Sequence, residues 1–115
     1  MPYMEIRLSK AFTEAQLEAA KTALGRDMGL LKDKDESTLM LDFVHSPHMF
    51  LRGAPLQNGG FVDCRLYGPQ PFEAKRAFSE AVYKAFGEIF GIDPKELYIN
   101  YVHFSDWGVN GSLKA

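Results

Sequence analysis

The feature that most narrows the fold is an order that occurs twice: a strand-sized apolar run, a helix with recognisable ends, and a second strand-sized run. Residues 3–8 alternate, with Met4, Ile6 and Leu8 on one face and Tyr3, Glu5 and Arg7 on the other, the period of a half-buried strand. Pro2 has no amide hydrogen and suits the first position of such a strand. In TEAQ, Thr13 and Gln16 stand three apart as a capping box, which starts a helix. Leu17, Ala20, Leu24, Met28 and Leu31 then fall on one helical stripe. Gly25 and Gly29 weaken it, so the pattern leaves the helix's end open. A charged turn, KDKDES, leads into TLMLDFV (38–44), a second strand apolar on nearly both faces.

The order then repeats. HSPHMFLRGAPLQNGG is a long connection whose Met49, Phe50 and Leu51 are expected to pack against the rest of the chain. FVDCRLY (61–67) reads as a third strand. After the break GPQP, FEAKRAFSEAVYKAFGEIFG is the clearest helix: Ala74, Phe78, Ala81, Val82, Ala85 and Ile89 face one way, and Glu73, Arg76, Glu80 and Lys84 the other. Glu80 and Lys84 have i,i+4 spacing for an ion pair, and Gly91 is a natural terminator. DPKE turns the chain into LYINYVH (97–103), a fourth strand. The tail, residues 104–115, is punctuated by Gly and Asn and is expected to hold a short strand or hairpin. Two βαβ units, over 1–44 and 61–103, predict one α+β domain spanning 1–115, with both helices on one face of a four-stranded mixed sheet. Its other face is then bare, and the apolar second strand predicts that another subunit meets it.

Composition excludes more than it assigns. A formal net charge of −2 gives no basic footprint for nucleic acid. No apolar run approaches the ~18 residues of a membrane span. MPYMEIRLSK carries charges where a secretory leader would be apolar, so the expected compartment is cytoplasmic. The one cysteine, Cys64, excludes an internal disulfide and reads as a buried strand residue. His45, His48 and His103 lack metal-ligand spacing, and no metal is expected. No phosphate-binding loop, dinucleotide glycine pattern or nucleophile elbow is present.

Three segments carry a resemblance over essentially the whole chain: Pro2 directly after Met1 and opening a strand, DPKELYINY before and within the fourth strand, and WGVNGSLKA at the end. With this order and length the sequence resembles the tautomerase superfamily, in its macrophage migration inhibitory factor (MIF)-like branch. The resemblance implies a homotrimer of tandem βαβ repeats, with active sites between subunits. It also implies a keto–enol tautomerase acting without a cofactor on small 2-keto acids such as phenylpyruvate. The alternative within the branch is a leaderless, cytokine-like factor that binds a protein receptor and retains vestigial or no catalysis.

The resemblance makes Pro2, as a free N-terminal amine, the catalytic base. A desolvated secondary amine titrates nearer neutrality, where it can take a proton from carbon α to a carbonyl and return it to oxygen. This requires removal of Met1, since otherwise the Pro2 nitrogen is an amide with no basicity. Lys34 matches the lysine that holds the substrate carboxylate, with Lys32 as competitor. Tyr98 and Asn100, two apart on a strand, share a face and in the resemblance reach the neighbouring subunit's pocket. By its chemistry a mid-strand Asn100 needs partners or costs about 1–3 kcal/mol if buried. Trp107 and Val109 match the pocket wall. The chain departs from the family at Val109 and Lys114, where aromatics are usual, in the shorter loop at 68–71, and in lacking a CxxC motif.

Overall fold

The computed structural model describes residues 1–115. Strand β1 (Pro2–Leu8), helix α1 (Glu14–Asp27) and strand β2 (Met40–His45) form the first unit. Strand β5 (Gly60–Tyr67), helix α2 (Phe72–Phe90) and strand β6 (Leu97–Phe104) form the second. Between them lies a small hairpin of β3 (Phe50–Leu51) and β4 (Ala54–Pro55), and the chain ends in a second hairpin, β7 (Trp107–Val109) with β8 (Ser112–Lys114). The central sheet has the order β2-β1-β5-β6. β1 runs parallel to β2, and β5 parallel to β6, while β1 and β5 pair antiparallel. This is the mixed four-stranded sheet that two βαβ units predict.

The local signals act where the chemistry says they should. Thr13 and Gln16 form both hydrogen bonds of the capping box at the start of α1. α2 ends on Gly91 at φ 66°, with the Gly91 N–H donating to Gly87 O (3.1 Å), the 5→1 closure of an αL C-cap, and the Ile92 N–H donating to Phe86 O (3.3 Å). Gly60 is required by proximity: a Cβ there would lie 2.0 Å from the Arg7 carbonyl oxygen across the β1–β5 pair. Ser9 closes the same end of the pair, its N–H and hydroxyl both donating to Gly59 O.

The core lies between one sheet face and the two helices. Met4, Ile6, Val62, Cys64, Leu66 and Leu97 meet Leu24, Met28, Phe78, Val82, Phe86 and Phe90 there. Burial pushes the Cys64 thiol up to about 12, so it stays protonated and inert. Two hydroxyls anchor α2 to β6: Tyr83 donates to Leu97 O (2.8 Å), and Tyr101 bonds Ser79 Oγ (2.6 Å).

Four expectations are corrected. α1 stops at Asp27, and Met28 and Leu31 reach the core from a 3-10 turn and the segment after it. β2 begins at Met40, because Asp35 caps a 3-10 turn over Glu36–Thr38. Phe50 does not pack, being 69 % exposed at a hairpin tip whose type I′ turn places Arg52 and Gly53 at positive φ; Leu56 is buried instead. Glu80 pairs with Arg76 (3.5 Å), and Lys84 with Glu88 (3.9 Å), so the Glu80–Lys84 pair is not made.

The second sheet face is bare. Tyr3, Glu5 and Arg7 on β1, Asp63 and Arg65 on β5, and Tyr98, Asn100, Val102 and Phe104 on β6 point away from the helices, as strand alternation requires. Tyr98, Val102 and Phe104 are exposed apolar groups there. No helix is long and apolar enough to cross a membrane.

Candidate active site

Pro2 pairs in register with Leu66 of β5, while β2 pairs with β1 only from Tyr3 onward. The residue without an N–H thus occupies the strand end where one is least needed. Its ring is fully buried. Met1 before it is still tied to β5, its carbonyl accepting from the Tyr67 N–H (3.3 Å).

The C-terminal hairpin forms the opposite wall. Its two-residue turn is Asn110-Gly111, both at positive φ (51° and 84°), the dipeptide that a type I′ turn favours. The register pairs Trp107 with Lys114 and Val109 with Ser112, which puts these four on one face of the hairpin. Between hairpin and sheet end lies a cavity of about 630 Å³. Pro2, Trp107 and Val109 line it together with Met1, Tyr3, Met40, Arg65, Phe104 and Leu113. Phe104 and Trp107 rings pack with centroids 6.2 Å apart. A second cavity of about 500 Å³ is lined by Asp33, Asp35, Asn110, Ser112 and Lys114. Met1, Thr38 and Val109 line both, so the N-terminal residue stands as a partition between an apolar chamber and a polar one.

Lys34 is half-buried behind this partition, its Nζ donating to the Tyr67 carbonyl (2.9 Å). Its positive charge acts on the Met1 α-amine. Burial, and then the Lys34 charge, lower that amine from 8.0 to about 6, with Lys114 contributing in the same direction and Asp35 opposing. An amine at this position is therefore largely neutral at pH 7 and able to accept a proton. Lys32 is turned elsewhere: its side chain is exposed, and the Gln70 amide clamps its backbone, accepting from the N–H (2.7 Å) and donating to the carbonyl (2.8 Å).

Of the residues singled out from sequence, Pro2, Trp107 and Val109 meet in one cavity, and Lys34 lies against its partition. Tyr98 and Asn100 do not join them within one chain. Asn100 pairs with Asp63 and Tyr98 with Phe61, three and five strand positions from His103, which faces Leu66 and so marks the level of Pro2. Asn100 is thus about 10 Å along and about 10 Å across the sheet from Pro2. Tyr98 is 54 % exposed, and Asn100 is exposed too, so the burial cost expected for its amide is not incurred here. Arg65 lines the Pro2 cavity although spacing alone did not select it. It stands directly across from Tyr3, its guanidinium 5.8 Å from the ring centroid and bonded to Asp63 (3.2 Å), a placement visible only once β1 is known to pair with β5. No three of the His, Cys, Asp and Glu side chains gather as metal ligands.

No protein-family model and no curated protein sequence matches this chain. Solved structures do. Leishmania major MIF2 superposes with a TM-score of 0.90 at 18% identity, covering 99% of this chain and 97% of its own. R7 fused 4-OT, described as an asymmetric trimer, gives a TM-score of 0.78 at 13% identity, covering 96% of this chain and 94% of its own. Pt0534, solved after inactivation by 2-oxo-3-pentynoate, gives 0.74 at 19% identity, covering 95% and 93%. At these identities the likeness establishes the fold, which is that of MIF and tautomerase proteins.

Proposed function

We propose that this chain, with Met1 removed, is a cofactor-independent keto–enol tautomerase of small 2-keto acids such as phenylpyruvate, with Pro2 as general base. The observation that carries the reading is the buried Pro2 at the floor of a cavity walled by Trp107 and Val109, beside an amine position that burial and Lys34 hold near neutrality. Removing Met1 frees the Pro2 nitrogen, one residue further into the cavity, as a secondary amine and vacates the space near Lys34 Nζ, where a substrate carboxylate fits by charge. The amine takes the proton from the carbon next to the keto group, Lys34 stabilises the enolate, and the proton returns to the enolate oxygen. Atoms and charge balance without an added group.

Tyr98 and Asn100 serve in this reading as contributions to a neighbouring subunit's pocket within a homotrimer, Asn100 orienting the far end of the substrate. The exposed Tyr98, Val102 and Phe104 supply apolar surface for that assembly, and one neighbour of the same fold is described as a trimer. Another is inactivated by 2-oxo-3-pentynoate, itself a 2-keto acid. The second reading is a MIF-like interaction factor with vestigial chemistry. The departures from the family pattern at Val109 and Lys114 and in the shorter loop at 68–71 favour it.

Protein whose N-terminus has been verified by mass spectrometry is assayed for loss of phenylpyruvate enol absorbance. We expect turnover in the Pro2 form, about 100-fold lower in Pro2→Gly and in chain that retains Met1. Absence of turnover in correctly processed wild type refutes the enzyme and leaves the interaction factor.

A further inference from the structure

We propose that Lys114 makes this site select 2-keto acids carrying a second anionic group. The proposal rests on the tautomerase reading for the reaction, but not for the binding preference. Three observations converge. Lys114 is the cross-strand partner of Trp107, so it is fixed on the hairpin face that carries the apolar wall. It lines the polar chamber that Met1, Thr38 and Val109 divide from the Pro2 cavity. Neither Lys34 nor Lys114 takes part in an ion pair, whereas Arg65 is held by Asp63.

Two unpaired ammonium groups therefore flank the N-terminal position from different elements, one on the segment before β2 and one on β8. Loss of Met1 takes away one of the three residues between the chambers and opens a path past Thr38 and Val109, with an apolar wall on one side and a cation at each end. A ligand with a carboxylate against Lys34, a flat apolar body along Trp107 and Val109, and a second carboxylate at Lys114 matches this arrangement. Asp33 and Asp35 line the same chamber, but Asp35 already accepts from both the N–H and the hydroxyl of Ser37. An acid at the rim disfavours loose anions and leaves the preference to one that reaches Lys114 directly.

The test uses binding, so that it is independent of turnover. Trp107 is the only tryptophan, and its fluorescence reports on the wall itself. Processed protein is titrated with two unreactive acids, 3-phenylpropionate and 3-(4-carboxyphenyl)propionate. We expect the dianion to bind about tenfold more tightly, the worth of one charge-assisted hydrogen bond. Lys114→Met is expected to abolish that gap while leaving the monoanion within twofold, Lys114→Arg to keep it, and 0.5 M salt to narrow it. Equal binding of both acids to wild type overturns the proposal, as does a gap that survives in Lys114→Met, or no binding of either acid. Loss of turnover in Pro2→Gly with the gap intact leaves this inference standing. A gap without any turnover in wild type refutes the reaction and keeps the anion preference.

Discussion

The two faces of the central sheet are built from the same strands but obey different rules. On the covered face, alternate residues of β1 and β5 are fully buried against α1 and α2. On the bare face the intervening residues are polar or half-exposed, and ion pairs run along single strands, Glu5 with Arg7 (2.9 Å) and Asp63 with Arg65 (3.2 Å). The covered face holds the fold, and the bare face, with the cavity at its end, is free to carry chemistry or a partner. The largest contrast expected is in stability. Phe78→Ala empties a site with no solvent exposure and should cost about 3–5 kcal/mol, whereas Tyr98→Ala should stay within about 0.5 kcal/mol in the dissociated chain. Urea unfolding of both variants measures the difference, and a comparable loss in the two would remove the distinction between faces.

The N-terminal end joins the two faces and gives a smaller effect with a defined sign. In the Met1-retaining chain the α-amine is lowered from 8.0 to about 6, so between these values the unfolded chain binds more protons than the folded one. Stability therefore rises as pH goes from 6 to 8. The penalty for protonating the amine is fully present below about pH 6 and absent above pH 8. Partial exposure limits the rise to the order of 1 kcal/mol. Burial is the larger cause of the shift, so Lys34→Met, which removes the neighbouring charge, should flatten the curve only in part. Unfolding free energies at half-unit pH intervals test this, and a profile unchanged by the substitution would detach Lys34 from the amine.

Legibility in the sequence follows the same division. Signals that act within a few residues were plain: the alternation of Met4, Ile6 and Leu8, the Thr13–Gln16 box, Gly91, and the Asn110-Gly111 turn each encode local geometry by themselves. The helical face of α2 was read only in part. The chosen stripe contained Ala81, Ala85 and Ile89, which line the groove against α1, while Phe86 and Phe90, the rest of the i,i+4 row from Phe78 and Val82, fill the core beside Phe12. A helix packed against both a sheet and another helix has two apolar stripes, and one periodicity does not separate them. The site was legible as residue types but not as an arrangement. Arg65 beside Tyr3, Met1 as a partition and the distance of Asn100 from Pro2 all depend on strand order, which pairs residues some 60 positions apart.

The smallest expected effect decides whether the bare face is bare in solution. Glu5 and Arg7 lie two apart on β1, with side chains 25% and 48% exposed in the single chain. A pair in that setting is screened by water, and a double-mutant cycle with Glu5→Ala and Arg7→Ala should give a coupling of about 0.5 kcal/mol or less that fades with salt. If copies of the chain close over this face, the same two charges lose water, and removing one partner alone leaves the other stranded at a cost of several kcal/mol. The cycle measured at nanomolar and at high micromolar protein thus reads the environment of the face directly. A coupling that stays small and independent of concentration means that no copy covers β1, and the shared pocket that needs Tyr98 and Asn100 fails with it.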